Sequence, residues 1–346
     1  MISPDGLARE LPLPPRAAET VQAGRKAVAS VLRGEDGRLL LLVGPCSLHD
    51  RGAALDYGQR LASLGARVEG KILLVMRAYV EKSRTGLGWR GLAEEPSIVG
   101  GRDPEAGAAA ARSLLVELAS LGLPLGTEIV SPYLWRYWED CLSWAALGAR
   151  GVEAQALRET AAALPFPCAF KNSLSGGADS AVQAALVASR PCSFLGLGRD
   201  GQAAAIEAEG NPLPHLVLRG GRPRRELRGW GPGREPRPNY LASRRALRGM
   251  AEAGLKPALL IDASHDNSRP FGQAFAARAA FRLALRGRKR GGGLAGIRGL
   301  MLESNLESGC QAPGAPAALR YGVSITDPCL GWAETEALIL EMAGRL

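Results

Sequence analysis

The chain has 346 residues, 46% of them hydrophobic and only 5% aromatic, which allows a large core built mainly from Ala, Leu and Val. Lys and Arg outnumber acidic residues by 43 to 34, and the net charge of +9 is compatible with nucleic acid, a membrane surface or a phosphorylated metabolite as partner. No apolar run approaches the length of a membrane span, the N-terminus lacks a secretory apolar core, and six scattered cysteines form no CxxC pair. We therefore expect a cytoplasmic protein with free thiols and no membrane segment.

Two segments of different character precede the first apolar run. Residues 1–16 are rich in proline and show no periodicity, which predicts an arm or tail. Arg16–Arg33 has apolar residues at helical spacing and predicts a helix that covers one end of the following domain. We divide the chain into residues 1–35, an N-terminal arm and helix, and residues 36–346, a single catalytic domain.

From Leu39 onward, eight apolar runs each stop at a polar or reactive residue. Strands buried on both faces have unbroken apolar sequences, and an α/β barrel carries its chemistry at the C-terminal ends of its strands. We therefore predict an α/β protein, a TIM (β/α)8 barrel, with one convergent site. The residues at these ends are Cys46, Arg77, Glu128, Arg150, Lys171, Arg219, His265 and Glu303.

Helical patterns alternate with these runs, as βα repeats require. Two short runs, Cys192–Leu197 and Gln202–Glu207, predict a small extra β-hairpin before the sixth barrel strand. Arg222–Pro238 is a basic Gly/Pro/Arg segment without periodicity and predicts a long loop insert. The predicted helices are His49–Gly65, Asp103–Leu121, Pro132–Leu142, Glu153–Leu164, Gly177–Ala188, Ser243–Ala253, Phe271–Leu285 and Ala333–Leu346.

Four residues at or beyond strand ends form a candidate metal site: Cys46, His265, Glu303 and Asp327. A thiolate, an imidazole and two carboxylates suit one divalent Mn, Fe, Co or Zn ion better than Mg or Ca. Taken singly, the cysteine is more simply explained as a buried thiol, and the histidine equally well as a hydrogen-bonded core residue. Their joint position at strand ends favours the metal site.

Six cations form a second candidate set: Arg77, Lys82, Arg84, Arg150, Lys171 and Arg219. Burying a bare cation is costly, and arginine pairs best with carboxylate and phosphate groups. Salt bridges to Glu128 or Glu153 would explain any one of these cations but not all six. The set predicts a substrate that carries both anionic groups, as phosphoenolpyruvate does.

Long motifs then carry a family resemblance. VGPCSLHD, MRAYVEKSRTGLGWRGL, GTE, FKN, IDASHDNS, MLESNLESGCQ and YGVSITDPCLGW occur in order within about residues 15–343. The chain resembles the short-form (type I) bacterial and yeast 3-deoxy-D-arabino-heptulosonate 7-phosphate synthases. The resemblance implies a TIM barrel that condenses phosphoenolpyruvate with erythrose 4-phosphate, opening the shikimate pathway of aromatic amino acid biosynthesis. It also implies homodimers or homotetramers, and often feedback inhibition by an aromatic amino acid. The basic segments are not interleaved with stacking aromatic residues beyond Trp230, and no run spans a membrane, so we expect no nucleic acid or membrane partner.

The resemblance also implies roles for individual residues. Cys46, His265, Glu303 and Asp327 match the family's metal ligands, and Arg77, Arg150, Lys171 and Arg219 match its phosphoenolpyruvate-binding cations, with Glu128 lining that pocket. Lys82, Arg84 and Thr85 match the loop that holds erythrose 4-phosphate. We expect Lys82 to protonate the aldehyde oxygen, with Cys46 and His265 also in the catalytic set.

Departures from the family pattern cluster on the aldehyde side. Ser83 stands where the family's KPRT motif has proline. The family's DFSHAN motif corresponds to residues 262–267 of this chain, where Asp266 adds a carboxylate. Two alternatives therefore stay open: a paralogue that accepts a related aldose phosphate, and a catalytically retired basic binding or regulatory subunit. A 3-deoxy-octulosonate 8-phosphate synthase is a more distant third. Rewritten residues 131–136 and 160–165 predict weak or absent inhibition by Phe or Tyr.

Overall fold

A computed structural model describes residues 1–221 and 240–346 and contains a closed barrel of eight parallel strands. In chain order the strands are β1 (Leu39–Gly44), β2 (Ile72–Arg77), β3 (Leu125–Ile129), β4 (Trp144–Leu147), β5 (Cys168–Lys171), β6 (Cys192–Leu197), β7 (Ala203–Ala208), β8 (His215–Leu218), β9 (Leu259–Asp262) and β10 (Ile297–Glu303). The barrel closes because β1 pairs in parallel with both β2 and β10. Strands β6 and β7 form an antiparallel hairpin outside the barrel. The TIM barrel and the extra hairpin before the sixth barrel strand are confirmed.

The helices of the described residues lie close to their predicted ranges, with one addition and one exception. They are α1 (Pro4–Glu10), α2 (Pro15–Arg33), α3 (Arg51–Val68), α4 (Pro104–Ser120), α5 (Gln155–Ala163), α6 (Asp179–Ala188), α7 (Tyr240–Glu252), α8 (Gln273–Arg290) and α9 (Trp332–Arg345). Within these described parts of the chain, no helix is long and apolar enough to cross a membrane. The predicted loop Arg222–Pro238 lies outside the described residues.

Helix α1 is the addition, because it lies in the segment for which periodicity predicted only an arm. Seven residues are too few for a readable helical period, so the helix depends on a cap and on tertiary contacts. The Ser3 hydroxyl accepts a hydrogen bond from the Gly6 amide, and Leu7 is buried. The Tyr137 hydroxyl donates to the carbonyl of Ile2 from elsewhere in the chain.

The predicted helix Pro132–Leu142 is wrong. This segment forms two short 3-10 helices, Leu134–Tyr137 and Glu139–Cys141. Three carbonyl groups of this segment accept hydrogen bonds from arginines elsewhere in the chain. Arg112 donates to the carbonyl of Tyr137, and Arg25 donates to the carbonyls of Glu139 and Leu142. Neither arginine is visible to local periodicity, so the error has a tertiary cause.

Helix α2 closes one end of the barrel, as its pattern predicted. Val28, Val31 and Leu32 of its second half pack into the same apolar cluster as the barrel interior. The interior members of that cluster include Leu40 and Leu42 of β1, Leu73 and Val75 of β2, Val217 of β8, Leu260 of β9 and Met301 of β10.

A period of two along each strand fixes where the functional residues lie. The alternate residues Leu39, Leu41 and Val43 of β1 belong to the other cluster, which includes the surrounding helices. Counting two residues onward from the inward-facing residues Val75, Gly126, Ala169, Val217, Leu260 and Met301 leads to the last inward position on each strand or just beyond it. These positions hold Arg77, Glu128, Lys171, Arg219, Asp262 and Glu303, so the top of the barrel interior is polar and charged.

Candidate active site

The charged upper layer of the barrel forms the floor of a cavity of about 640 Å³. A continuous apolar layer lies beneath it, so the floor is cut off from the opposite end of the barrel. Predicted residues that line the cavity are Lys82, Arg84, Thr85, Glu128, Arg150, Lys171, Arg219, His265, Glu303 and Asp327. Cys46 and Arg77 are fully buried, and each contacts a lining residue.

Glycine at the end of β1 allows the backbone of Arg77 to pack closely against it. A Cβ atom at Gly44, where β1 ends, would lie 2.8 Å from the carbonyl oxygen of Arg77. The Arg77 side chain is fully buried and lies over the ring of Tyr79, with 4.0 Å between the guanidinium carbon and the ring centroid. One of its Nη atoms is 3.1 Å from a carboxylate oxygen of Glu303. A side chain at Gly44 would therefore collide with the backbone that carries this buried guanidinium.

Three of the four predicted metal ligands converge. A thiol sulfur of Cys46 and carboxylate oxygens of Glu303 and Asp327 all lie within 4.8 Å of one another. The fourth ligand is adjacent, because Nε2 of His265 is 3.7 Å from a Glu303 oxygen. The donor set combines soft and hard ligands around one point, so the residues fit a divalent transition metal or zinc ion.

His265 is held in an uncommon backbone conformation. Its φ is +56°, in the left-handed region that is strained for a residue with a side chain. Nδ1 of the ring is 2.9 Å from a carboxylate oxygen of Asp262, and the Ser268 hydroxyl donates to the His265 carbonyl. Surrounding contacts thus fix the ring so that Nε2 faces Glu303 and the other ligands.

Lys82 lies inside the same cluster. Its ammonium donates to the Cys46 sulfur at 2.8 Å and to an Asp327 oxygen at 3.3 Å. Burial favours the neutral amine, but Cys46 and the Glu303 and Asp327 carboxylates prevail, and the pKa of Lys82 is raised. Burial, reinforced by Glu303, raises the pKa of the Cys46 thiol to about 12. Lys82 thus stays protonated at neutral pH, next to the atoms that could hold a metal.

Four of the six predicted cations have carboxylate partners within the chain, which corrects the argument that internal salt bridges could not account for them. The partners are carboxylates at the cavity or its floor and include neither Glu128 nor Glu153. The pairs are Arg77 with Glu303, Lys82 with Asp327, Lys171 with Asp262 and Arg219 with Asp266. Because each pair joins residues far apart in sequence, the pairing could not be read from spacing.

The remaining two cations lie at the rim. Arg84 and Arg150 are exposed, and neither has a carboxylate within 4.0 Å among residues 1–221 and 240–346. Nε of Arg150 donates to the hydroxyl of Thr85, which links the loop after β2 to the segment after β4. Both arginines line the cavity, so this rim offers two guanidinium groups to an anionic ligand.

Sequence reasoning missed Asp262 and Asp266 as members of the site. Asp262 is fully buried beneath His265 and 3.5 Å from the Lys171 ammonium. Burial works against its charge, but His265 and Lys171 prevail and hold the pKa of Asp262 well below its usual range. Its inward position, two residues after Leu260, was the signal that could have identified it.

Glu128 and Glu81 are the two acidic residues beside the β2 loop. The Ser83 hydroxyl, which stands where the family pattern has proline, donates to Glu128 at 3.0 Å. Glu81 is fully buried and accepts from the Ser131 amide at 2.8 Å, and burial raises the pKa of Glu81 to about 8. Glu81 therefore ties the loop that carries Lys82 to the end of β3.

Comparison with known proteins agrees with this architecture. Residues 17–340 match the family model described as the DAHP synthetase I family. The chain is 38% identical over 345 residues to the Tyr-sensitive phospho-2-dehydro-3-deoxyheptonate aldolase of Escherichia coli K12, covering 99% of this chain and 92% of that protein. It is 40% identical over 348 residues to the Trp-sensitive protein of that name from Enterobacter agglomerans, covering 99% and 94%.

A solved structure supports the same assignment. The phospho-2-dehydro-3-deoxyheptonate aldolase of Francisella tularensis SCHU S4 superimposes with a TM-score of 0.89 at 32% identity, covering 99% of this chain and 96% of that chain. The match spans the barrel, the hairpin and the N-terminal helices in one alignment. With its barrel, its charged cavity and a family match over nearly its whole length, the chain belongs to the DAHP synthetase I family.

Proposed function

We propose that this protein condenses phosphoenolpyruvate with erythrose 4-phosphate to give 3-deoxy-D-arabino-heptulosonate 7-phosphate and inorganic phosphate, the first step of the shikimate pathway. The observation that carries the proposal is the single cavity in which Cys46, Glu303 and Asp327 converge beside a ring of cations. The names of the relatives, phospho-2-dehydro-3-deoxyheptonate aldolases, support the same reaction.

Phosphoenolpyruvate is proposed to bind over the cavity floor. Arg77 and Lys171 are both buried and lie 4.0 and 5.8 Å from the centroid of the Tyr79 ring; they would hold one anionic group, and Arg150 and Arg219 would hold the other. Nε of Arg77 is buried without a hydrogen-bond partner among the described residues, so it can still donate to a ligand. Glu128 lines the same space. Fixing both anionic groups orients the C3 atom, an effect that can lower the activation barrier by several kcal/mol.

Erythrose 4-phosphate is proposed to bind at the rim, where Arg84 and Thr85 would hold its phosphate and Lys82 would meet its aldehyde oxygen. Cys46, His265, Glu303 and Asp327 would hold one divalent Mn, Fe, Co or Zn ion, which when bound supplies Lewis acidity toward that oxygen. Because the Cys46 thiol has a raised pKa, metal binding would release its proton.

Bond formation then follows from these positions. C3 of phosphoenolpyruvate attacks the aldehyde carbon, and Lys82 gives a proton to the aldehyde oxygen as its charge develops. Water adds to the electron-poor C2 atom, and the phosphate departs from C2 as the oxygen there becomes the product's carbonyl. The first proton lost by the water restores Lys82 through solvent, and the second, lost as the C2 hydroxyl becomes the carbonyl, leaves with the departing phosphate.

One specific observation favours a second candidate, a paralogue that uses a related aldose phosphate. Ser83 stands where the family pattern has proline, in the loop that would hold the aldose, and its hydroxyl donates a hydrogen bond to Glu128. The alternative of a retired binding subunit has no comparable support, because a binding protein needs no convergent set of metal ligands. We further propose a cytoplasmic homodimer or homotetramer without nucleic acid partners. All six cysteines lie in the described residues as free thiols, in keeping with a reducing compartment.

Phosphoenolpyruvate consumption and phosphate release by the purified chain test the proposal, with erythrose 4-phosphate and Mn²⁺, with and without EDTA. We expect EDTA-sensitive turnover that Asp327→Asn abolishes and the remote, exposed Asp200→Asn retains. Turnover with a five-carbon aldose phosphate but not with erythrose 4-phosphate would favour the paralogue. Binding of phosphoenolpyruvate without turnover of any aldose phosphate would contradict both.

A further inference from the structure

Arg219 and Asp266 form a buried ion pair inside the cavity. Nη1 of Arg219 lies 2.8 Å from a carboxylate oxygen of Asp266, and both side chains are at least nine-tenths buried. The two backbones are also joined, because the Asn267 amide donates to the Arg219 carbonyl and the Arg219 amide donates to Asn172. The pair is therefore rigidly built at the junction of the β8 and β9 ends.

Asp266 differs from the other carboxylates of the cavity. Glu303 and Asp327 belong to the convergent cluster with Cys46, and the buried Asp262 contacts both His265 and Lys171. Asp266 is outside that cluster, and its carboxylate faces cations: Arg219 at 2.8 Å and the exposed Arg269 at 3.8 Å. Its charge therefore acts on the anion-binding side of the cavity.

A phosphate bound at Arg219 would meet this carboxylate. The guanidinium can give Nη1 to Asp266 or to the phosphate, and the two anions repel one another across a few ångströms of a partly buried site. A ligand with a second anionic group can compensate through Arg77 and Lys171, which lie deeper. Free inorganic phosphate has no such second group.

We infer that Asp266 acts as a built-in competitor for the phosphate group at Arg219, weakening the retention of phosphate and so setting the affinity of the site. The inference rests on the proposed function in naming phosphoenolpyruvate and inorganic phosphate as the ligands. It assigns Asp266 a role in affinity and none in the bond-forming step.

Calorimetric titration of the wild-type chain and of Asp266→Asn with inorganic phosphate and, separately, with phosphoenolpyruvate tests this directly. We expect the Kd for inorganic phosphate to fall at least tenfold in Asp266→Asn, the size expected for removing one unit charge about 6 Å away at an effective dielectric of about 40. The KM for phosphoenolpyruvate should fall in the same direction, and kcat should not rise, because phosphate leaves more slowly. Asp266→Glu, which keeps the charge, should bind as wild type does.

Asp200→Asn is the matched control, because it makes the same charge change on an exposed turn outside the cavity. If Asp266→Asn does not fold, judged by circular dichroism, Asp266→Ser is measured in its place. Unchanged or weakened phosphate binding in the variant would overturn the inference, the weakened case showing that Asp266 positions Arg219. Titration needs no turnover, so failure of the proposed reaction and failure of this inference are read separately.

Discussion

The ammonium nitrogen of Lys82 lies 2.8 Å from the thiol sulfur of Cys46, within the group of atoms that could coordinate a metal ion. The two residues are supplied by segments that follow different strands, β1 and β2, which are hydrogen-bonded neighbours in the barrel. In the proposed function, this contact places Lys82, in the loop after β2, where an aldehyde oxygen would meet both a proton donor and a metal.

Lys82→Met should reduce kcat by a factor of about 10² to 10⁴, the range for a lost general acid. The Kd for phosphoenolpyruvate, measured by calorimetry, should change less than about threefold, because we propose that Arg77 and Lys171 bind that substrate independently of Lys82. Lys71→Met, an exposed lysine ahead of β2, is the matched control and should retain turnover. A variant with near-normal kcat would remove Lys82 from the mechanism.

Asp262→Asn should weaken metal binding about 10- to 100-fold, the usual effect of losing the group that orients a ligating histidine. The carboxylate is 2.9 Å from Nδ1 of His265, and an amide cannot match its charge. Calorimetric titration with Mn²⁺ measures the affinity without any substrate, and Asp200→Asn again controls for net charge. Unaltered Mn²⁺ affinity would show that the His265 ring is oriented by its strained backbone alone.

Glu81 should make the fold less stable as pH rises. The pKa of Glu81 in the folded chain is raised to about 8, so between about pH 4.5 and pH 8 the unfolded chain loses this proton while the folded chain keeps it. The free energy of unfolding should therefore fall by about 3 kcal/mol between pH 5 and pH 8 through this residue and level off above pH 8. In Glu81→Gln, urea unfolding at several pH values should show that slope removed. An identical slope in the variant would assign the pH dependence to other groups.

Arg112→Met should destabilise the fold by about 2–4 kcal/mol. Arg112 is 1% exposed and donates to Asp140 and to the carbonyls of Leu11 and Tyr137, so its loss leaves several acceptors without a partner. The control is Arg51→Met, since Arg51 pairs with Glu117 at the surface and its loss should cost less than about 1 kcal/mol. Urea unfolding at neutral pH measures both, and equal losses would contradict the structural role of Arg112.

Sequence patterns determined the barrel and the strand ends of this protein because both depend on local order. Apolar runs predicted the eight strands, and the polar residue that ends each run placed Arg77, Lys171 and Glu303 at the same end of the barrel. Long motifs were enough to identify the family, which the comparisons confirmed.

Tertiary structure alone decided which charges meet. Arg219 pairs with Asp266, and Lys171 pairs with Asp262. The two residues of each pair are 47 and 91 positions apart along the chain, respectively. The same reason explains why the predicted helix Pro132–Leu142 is wrong. Arg25 and Arg112, which lie outside this segment, donate hydrogen bonds to carbonyl groups within it. The periodicity of apolar residues indicates only which face of one helix or strand is buried. An ion pair, or a hydrogen bond from a distant arginine to a carbonyl group, depends on which elements become neighbours when the barrel closes.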